Sequence, residues 1–123
     1  MSYLNPRVYD NGLTVLDTEA NVFHICSSEP STFAGVAGVS LGNATTLSIG
    51  APADRSGGGR EVTVAAITTG GNVTANGTAT HYAIVDTVNS RLLAANSLSA
   101  SQVVTSGNTF TTGAFTIGIP GPV

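Results

Sequence analysis

Apolar and polar side chains alternate along this chain in short runs broken by Gly, Asn and Pro, and no window of about a dozen residues keeps a 3.6-residue apolar period. That pattern points to a mostly β fold. A strand sends successive side chains to opposite faces, whereas a helix needs apolar residues three and four apart. Residues 21–26 place Val22, His24 and Cys26 on one face of a strand and Phe23 and Ile25 on the other, with Glu29-Pro30 closing the segment. Residues 61–67 alternate into a second strand, stopped by Gly70-Gly71.

The remaining elements follow from turn chemistry. A short strand is expected over 13–17, after the turn-like Asp10-Asn11-Gly12. Between Pro30 and Pro52 the expected inward positions are Val39, Leu41, Leu47 and Ile49, with a turn at Gly42-Asn43. Asn76-Gly77, between residues 72–75 and 78–86, is the signal of a type I′ hairpin, since both residues accept positive φ. A turn at 88–90 leads residues 91–95 back onto the preceding strand. Residues 102–105, a turn at 106–108 and a strand within 110–119 complete the set, with Phe115, Ile117 and Ile119 sharing a face and Pro120 and Pro122 ending it. About eight short strands without a helical crossover predict an all-β chain, a single antiparallel β-sandwich or small β-barrel. Residues 1–12 are expected to form an extended N-terminal arm, and 13–123 a single β-domain with a flexible Gly-rich loop at 54–60.

Charge narrows the function classes. Charged residues make up 9% of the 123, where an ordinary soluble domain carries about a quarter. There is no lysine, and the basic residues are Arg7, Arg55, Arg60 and Arg91 against seven acids. No basic stripe is present to neutralise phosphates, so nucleic acid is not an expected partner. No stretch approaches the ~18 continuous apolar residues of a membrane helix and the first residues hold no apolar signal-peptide core, so neither membrane nor export is expected. A surface this poor in charge is weakly protected against association, which makes burial in an assembly a natural expectation.

The residues able to do chemistry are few. His24 and Cys26, two apart on a strand, would suit Cys-His nucleophilic chemistry or a pair of metal ligands. Cys26 is the one cysteine and His81 the one other histidine, so a metal site would lack ligands, and a half-buried structural pair is expected instead. His81 and Asp86 are five apart and fall on opposite strand faces, and no Gly-x-Ser-x-Gly is present to support a triad. A hydrogen-bonded His81 and an Asp86 capping the next turn are the expected roles. Arg55 to Arg60 lacks the spacing of a phosphate loop. Asn43, Asn72 and Asn76 begin glycosylation sequons, set aside without a secretory signal. No catalytic, metal-binding or cofactor-binding residue is assigned, and no enzyme activity is expected.

Several stretches resemble small virion structural proteins of tailed bacteriophages, the head decoration or minor capsid type. They are Tyr3 to Leu13, Ile25 to Pro30, Ile49 to Asp54, Gly59 to Ala65, Gly77 to Asp86, Leu92 to Ala94, and Gly107 to Phe110. The resemblance implies a non-enzymatic β-domain, made in the host cytoplasm and located in the virion. Such a domain clusters, often as a homotrimer, on the outside of the head and stiffens contacts between major capsid protein subunits. On that reading Tyr3, Leu4, Pro6, Arg7 and Tyr9 form a subunit- or capsid-contacting arm, and Arg55 and Arg60 flank a loop that orders against a neighbour's carboxylates. A tail or fibre component and a carbohydrate- or surface-binding β-sandwich are the alternatives. The absence of Trp, with Tyr and Phe totalling seven, weighs against sugar stacking.

Overall fold

Strand alternation is used on both sides of one central ribbon. In the strand Val22–Cys26, Phe23 and Ile25 enter one core while Val22 and Cys26 pack into a second on the opposite face. The computed structural model describes residues 3–4, 12–55 and 60–119. Among these the order is β1 (Tyr3–Leu4), α1 (Thr14–Glu19), β2 (Val22–Cys26), α2 (Phe33–Val39), β3 (Ser40–Ala44), β4 (Ala53–Asp54), β5 (Arg60–Val64), β6 (Gly71–Val73), β7 (Gly77–Asp86), β8 (Arg91–Val104) and β9 (Phe115–Ile119). A six-stranded sheet runs β1-β8-β7-β2-β3-β6 and a three-stranded sheet runs β4-β5-β9, all antiparallel. The fold is thus mostly β and sandwich-like, as the alternation predicts.

The main core lies between the sheets. Phe23, Ile25, Tyr82, Ile84 and Leu93 of the larger sheet meet Val62 and Val64 of β5, with Phe115, Ile117 and Ile119 of β9 packed against them. Each fully buried large side chain contributes about 1.5–3 kcal/mol of transfer free energy. The other face of the larger sheet presents Cys26, Ala83, Val85, Leu92 and Ala95, covered by Val36 of α2 with Phe33 and Val39 beside it.

Two helices replace elements that were not expected to be helical. Residues 13–17 form the start of α1 rather than a strand, because Leu13, Val15 and Leu16 are all buried in one core. A strand would turn the adjacent Val15 and Leu16 to opposite sides, whereas a helix keeps them on one. In α2, Phe33, Val36 and Val39 repeat every three residues, and Thr32 caps the start by accepting a hydrogen bond from Gly35 N at 2.9 Å.

Two expected turns and one expected division between strands are also corrected. Gly42-Asn43 is not a turn but mid-strand in β3, and Gly42 is required by close approach, since a Cβ there would overlap the Asn72 carbonyl of β6. Asn76-Gly77 does not close a hairpin: β6 pairs with β3, while β7 pairs with β2 and β8. The Asn76 side chain instead accepts from Ser106 N at 2.8 Å, tying the crossing segment to the turn after β8. Residues 91–95 and 102–105 belong mainly to one strand, β8, which bulges where Ala79 pairs with Gln102 and His81 with Ser97. Of the expected arm, β1 pairs with the chain's own Ala94 and Ala95. Pro6, Arg7, Tyr9, the glycines at 57–59 and the closing Pro120 and Pro122 lie outside the described residues.

The two glycines near α2 should respond oppositely to substitution. Gly42→Ala is expected to lower unfolding stability by about 1–3 kcal/mol through overlap with β6. Gly38→Ala, in α2 with nothing within 4 Å of an added Cβ, is expected to raise it by up to about 1 kcal/mol. Urea denaturation followed by circular dichroism measures both.

Candidate functional site

Four aromatic rings from distant points of the chain converge between the sheets. Phe23 and Tyr82 stack with centroids 5.7 Å apart and planes 7° from parallel. Phe115 tilts against Tyr82 at 4.9 Å and against Phe23 at 6.4 Å, and Phe110 closes on Phe23 at 6.5 Å. Register explains the meeting: Phe23 and Tyr82 point inward from adjacent central strands, and β9 carries Phe115 on its inward face.

Beside this cluster the sandwich opens into a cleft of about 550 Å³. The bulge in β8 forms one wall, because Leu98 to Ser101 stand opposite the single residue Thr80 and push the strand outward. Residues 110–116 form the other wall. A second hollow of about 410 Å³ adjoins it, and the two share Gln102, Val104, Phe110 and Thr111. The two hollows thus lie side by side along these residues, the first with an aromatic floor and both rimmed by amides and hydroxyls; together they are called the groove. No Asp, Glu, Lys, Arg or His lines either part. Burial pushes the Tyr82 phenol up to about 12, so it stays protonated at any physiological pH. The arrangement can hold a neutral molecule; it offers no base beside a nucleophile.

The residues singled out in the sequence are held elsewhere. His24, Cys26 and His81 share the α2 side of the larger sheet, and Cys26 lies directly across from His81 in register. Each ring is committed locally. The Ser40 hydroxyl donates to the Gly42 carbonyl and so accepts from His24 Nδ1 at 2.9 Å. The Thr80 hydroxyl likewise donates to the Ser27 carbonyl and accepts from His81 Nδ1 at 2.9 Å. Burial lowers the pKa of His24 and raises that of Cys26 to about 11, which leaves a neutral imidazole and an un-ionised thiol. Among the described residues no three of His, Cys, Asp and Glu are grouped to hold a metal ion.

Asp86 caps the β7–β8 turn as expected. It is 1% exposed and accepts from Val88 N, Asn89 N and Asn89 Nδ2, the last at 2.8 Å. Burial alone would raise its pKa, but these hydrogen bonds together with the nearby Arg91 guanidinium bring it below the usual carboxylate value.

Arg60 closes the base of the Gly-rich loop, donating to Asp54 Oδ1 at 2.6 Å and to the Pro52 carbonyl at 3.1 Å. The pair is exposed, so its contribution is small. The Arg55 side chain lies over Gly118 of β9. Tyr3 and Leu4 pair through β1 with Ala95 and Ala94. The groove residues Tyr82, Gln102, Phe110 and Thr111 were not singled out in the sequence. Their only local signal is that a chain with 6% aromatic residues spends them on inward strand positions. No family model, no curated protein and no solved structure matches the chain.

Two outcomes check these assignments. Cys26 should resist Ellman's reagent at pH 8 in the folded protein and react once unfolded in guanidinium. Because folding depresses the Asp86 pKa, its ionised form stabilises the native state above the ordinary value of 3.8, and that contribution fades as pH falls through the lower native value. The stability gap between wild type and Asp86→Asn should therefore be larger at pH 7 than at pH 2, measured as urea midpoints. An equal gap at both would show that the charge plays no part.

Proposed function

We propose that this chain is a non-enzymatic structural component that acts by assembling into a virion, as a head decoration protein binding the major capsid protein and itself, in trimers. The observation that carries the reading is the outer edge of β8. Beyond Ala95 no described strand pairs with that edge, Val103 is 77% exposed, and no charged residue follows Arg91 in the sequence. Monomeric β-proteins shield such edges with charge, Pro or covering loops. A long, uncharged edge suits a strand that is buried once the particle is built.

Further support comes from the commitments of the chemically able side chains. His24, His81, Cys26 and Asp86 each serve local structure, which is what a packing unit requires. The location in the head rests on the sequence resemblance to decoration proteins. A weak patch gains strength when repeated in a trimer on a lattice of fixed geometry, so no single large interface is needed.

Copy number decides the matter. Quantitative mass spectrometry of purified particles should give this protein in simple ratio to the major capsid protein, and light scattering should give a trimer in solution. A dozen copies or fewer per particle would move it to the tail, and absence from particles would end the virion reading. Deleting residues 2–11 is expected to weaken capsid binding while the circular dichroism of the β-domain is kept.

A further inference from the structure

The geometry points to a binding site for a neutral oligosaccharide in the groove walled by β8 and residues 110–116. The groove shares the β8 segment with the open edge, but the inference rests on the groove's own lining and stands without the virion reading. Three features select the ligand class. The lining carries no charged side chain, so desolvating a charged ligand there would find no compensation, while a neutral one loses little. The floor is apolar and aromatic: Phe110 and Phe115, both half-buried and backed by the buried Tyr82, can meet the C–H faces of a ring in place of the Trp that the chain lacks. The rim is dense in groups that pair with hydroxyls: Ser97, Ser99, Gln102, Thr111 and Thr116, joined by Asn96. The Asn96 Oδ1 already accepts from Ser97 N at 2.8 Å, which orients its amide and leaves the Nδ2 donors for a ligand.

A hydrocarbon or a lone aromatic would cover the floor but leave that rim desolvated and unpaired, at a cost for each group. A polyol with one apolar face satisfies both. Length argues for more than one sugar unit. The cleft alone lies within the roughly 300–1,000 Å³ of small-molecule sites, and the adjoining hollow extends it across Gln102 and Thr111. The rings are packed on one another before any ligand arrives, so little ordering is required on binding.

Saturation-transfer NMR on the full chain tests this with maltotriose, cellotriose, chitotriose and lactose as neutral probes, 3′-sialyllactose as a charged one and indole as an apolar one. At least one neutral glycan is expected to receive saturation at its ring C–H protons and to titrate with a Kd of roughly 0.1–10 mM, more tightly than the sialylated probe. Gln102 and Thr111 are both exposed at the junction of the hollows, so Gln102→Ala with Thr111→Ala should keep the fold. That pair should weaken binding about tenfold, the equivalent of one lost hydrogen bond. Melting curves check the fold of the variant, and Ser99→Ala, with an expected weakening of severalfold, serves if it unfolds. No saturation of any neutral glycan at about 10 mM would overturn the proposal. So would binding of indole alone, or glycan binding unaltered in the folded variants.

Discussion

The structure depends on β7 being buried on both faces and paired on both edges. From Tyr82 to Asp86 every residue of this strand is buried, with β2 on one side and β8 on the other. Its hydrogen bonds are satisfied only if both neighbours are in register, and its two side-chain sets are covered only if a layer sits on each face. One face meets the smaller sheet and α1; the other meets α2. A one-residue slip would exchange the two sets, placing Tyr82 and Ile84 against a short helix and Ala83 and Val85 against the aromatic cluster. Neither surface fits the other's partner, so the register is fixed by volume as much as by hydrogen bonding.

The two faces differ in the size of what they present, and this sets the layers. On the α2 side the sheet presents Cys26, Ala83, Val85, Ala95 and one larger residue, Leu92, a mostly small surface on which a seven-residue helix can lie close. On the other side Phe23, Tyr82 and Phe115 hold the sheets together where they meet, and the cleft opens beside them where β8 bulges. The aromatic cluster is thus both part of the main core and the floor of the groove. Packing provides the rigidity that a preformed site needs.

How far this could be read from the sequence varies by element. The strands at Phe23, Val62, Tyr82 and Phe115 were legible because their β-branched and aromatic residues alternate between turn formers, and each sends one set of side chains into the main core. The helices were not. With six and seven residues they fall below the window in which a 3.6-residue period stands out, and α2 contains Gly35 and Gly38, which argue against helix locally. Asn76-Gly77 misled for a different reason: its Asn is engaged by Ser106, thirty residues away, and that long-range tie replaced the local hairpin. The Asp86 turn was readable because its capping partners are two and three residues on. The groove was unreadable since its floor joins positions 23, 82, 110 and 115, and nothing local marks those four as neighbours.

Low charge and the open edge of β8 are connected through the same segment. Residues 96–104 supply the outer edge that no described strand pairs and also one wall of the groove, through Asn96, Leu98, Gln102 and Val104. A backbone pairing at this edge would meet the bulge, where four residues of β8 stand opposite one of β7. Any free energy by which a bound ligand favours the bulged form must appear, with the same magnitude, as a bias on edge pairing. Charge near β8 would have protected the edge but placed an ion beside the groove. No charged residue follows Arg91, so neither the outer edge of β8 nor its wall of the groove carries an ion, and one segment sets the chemistry of both.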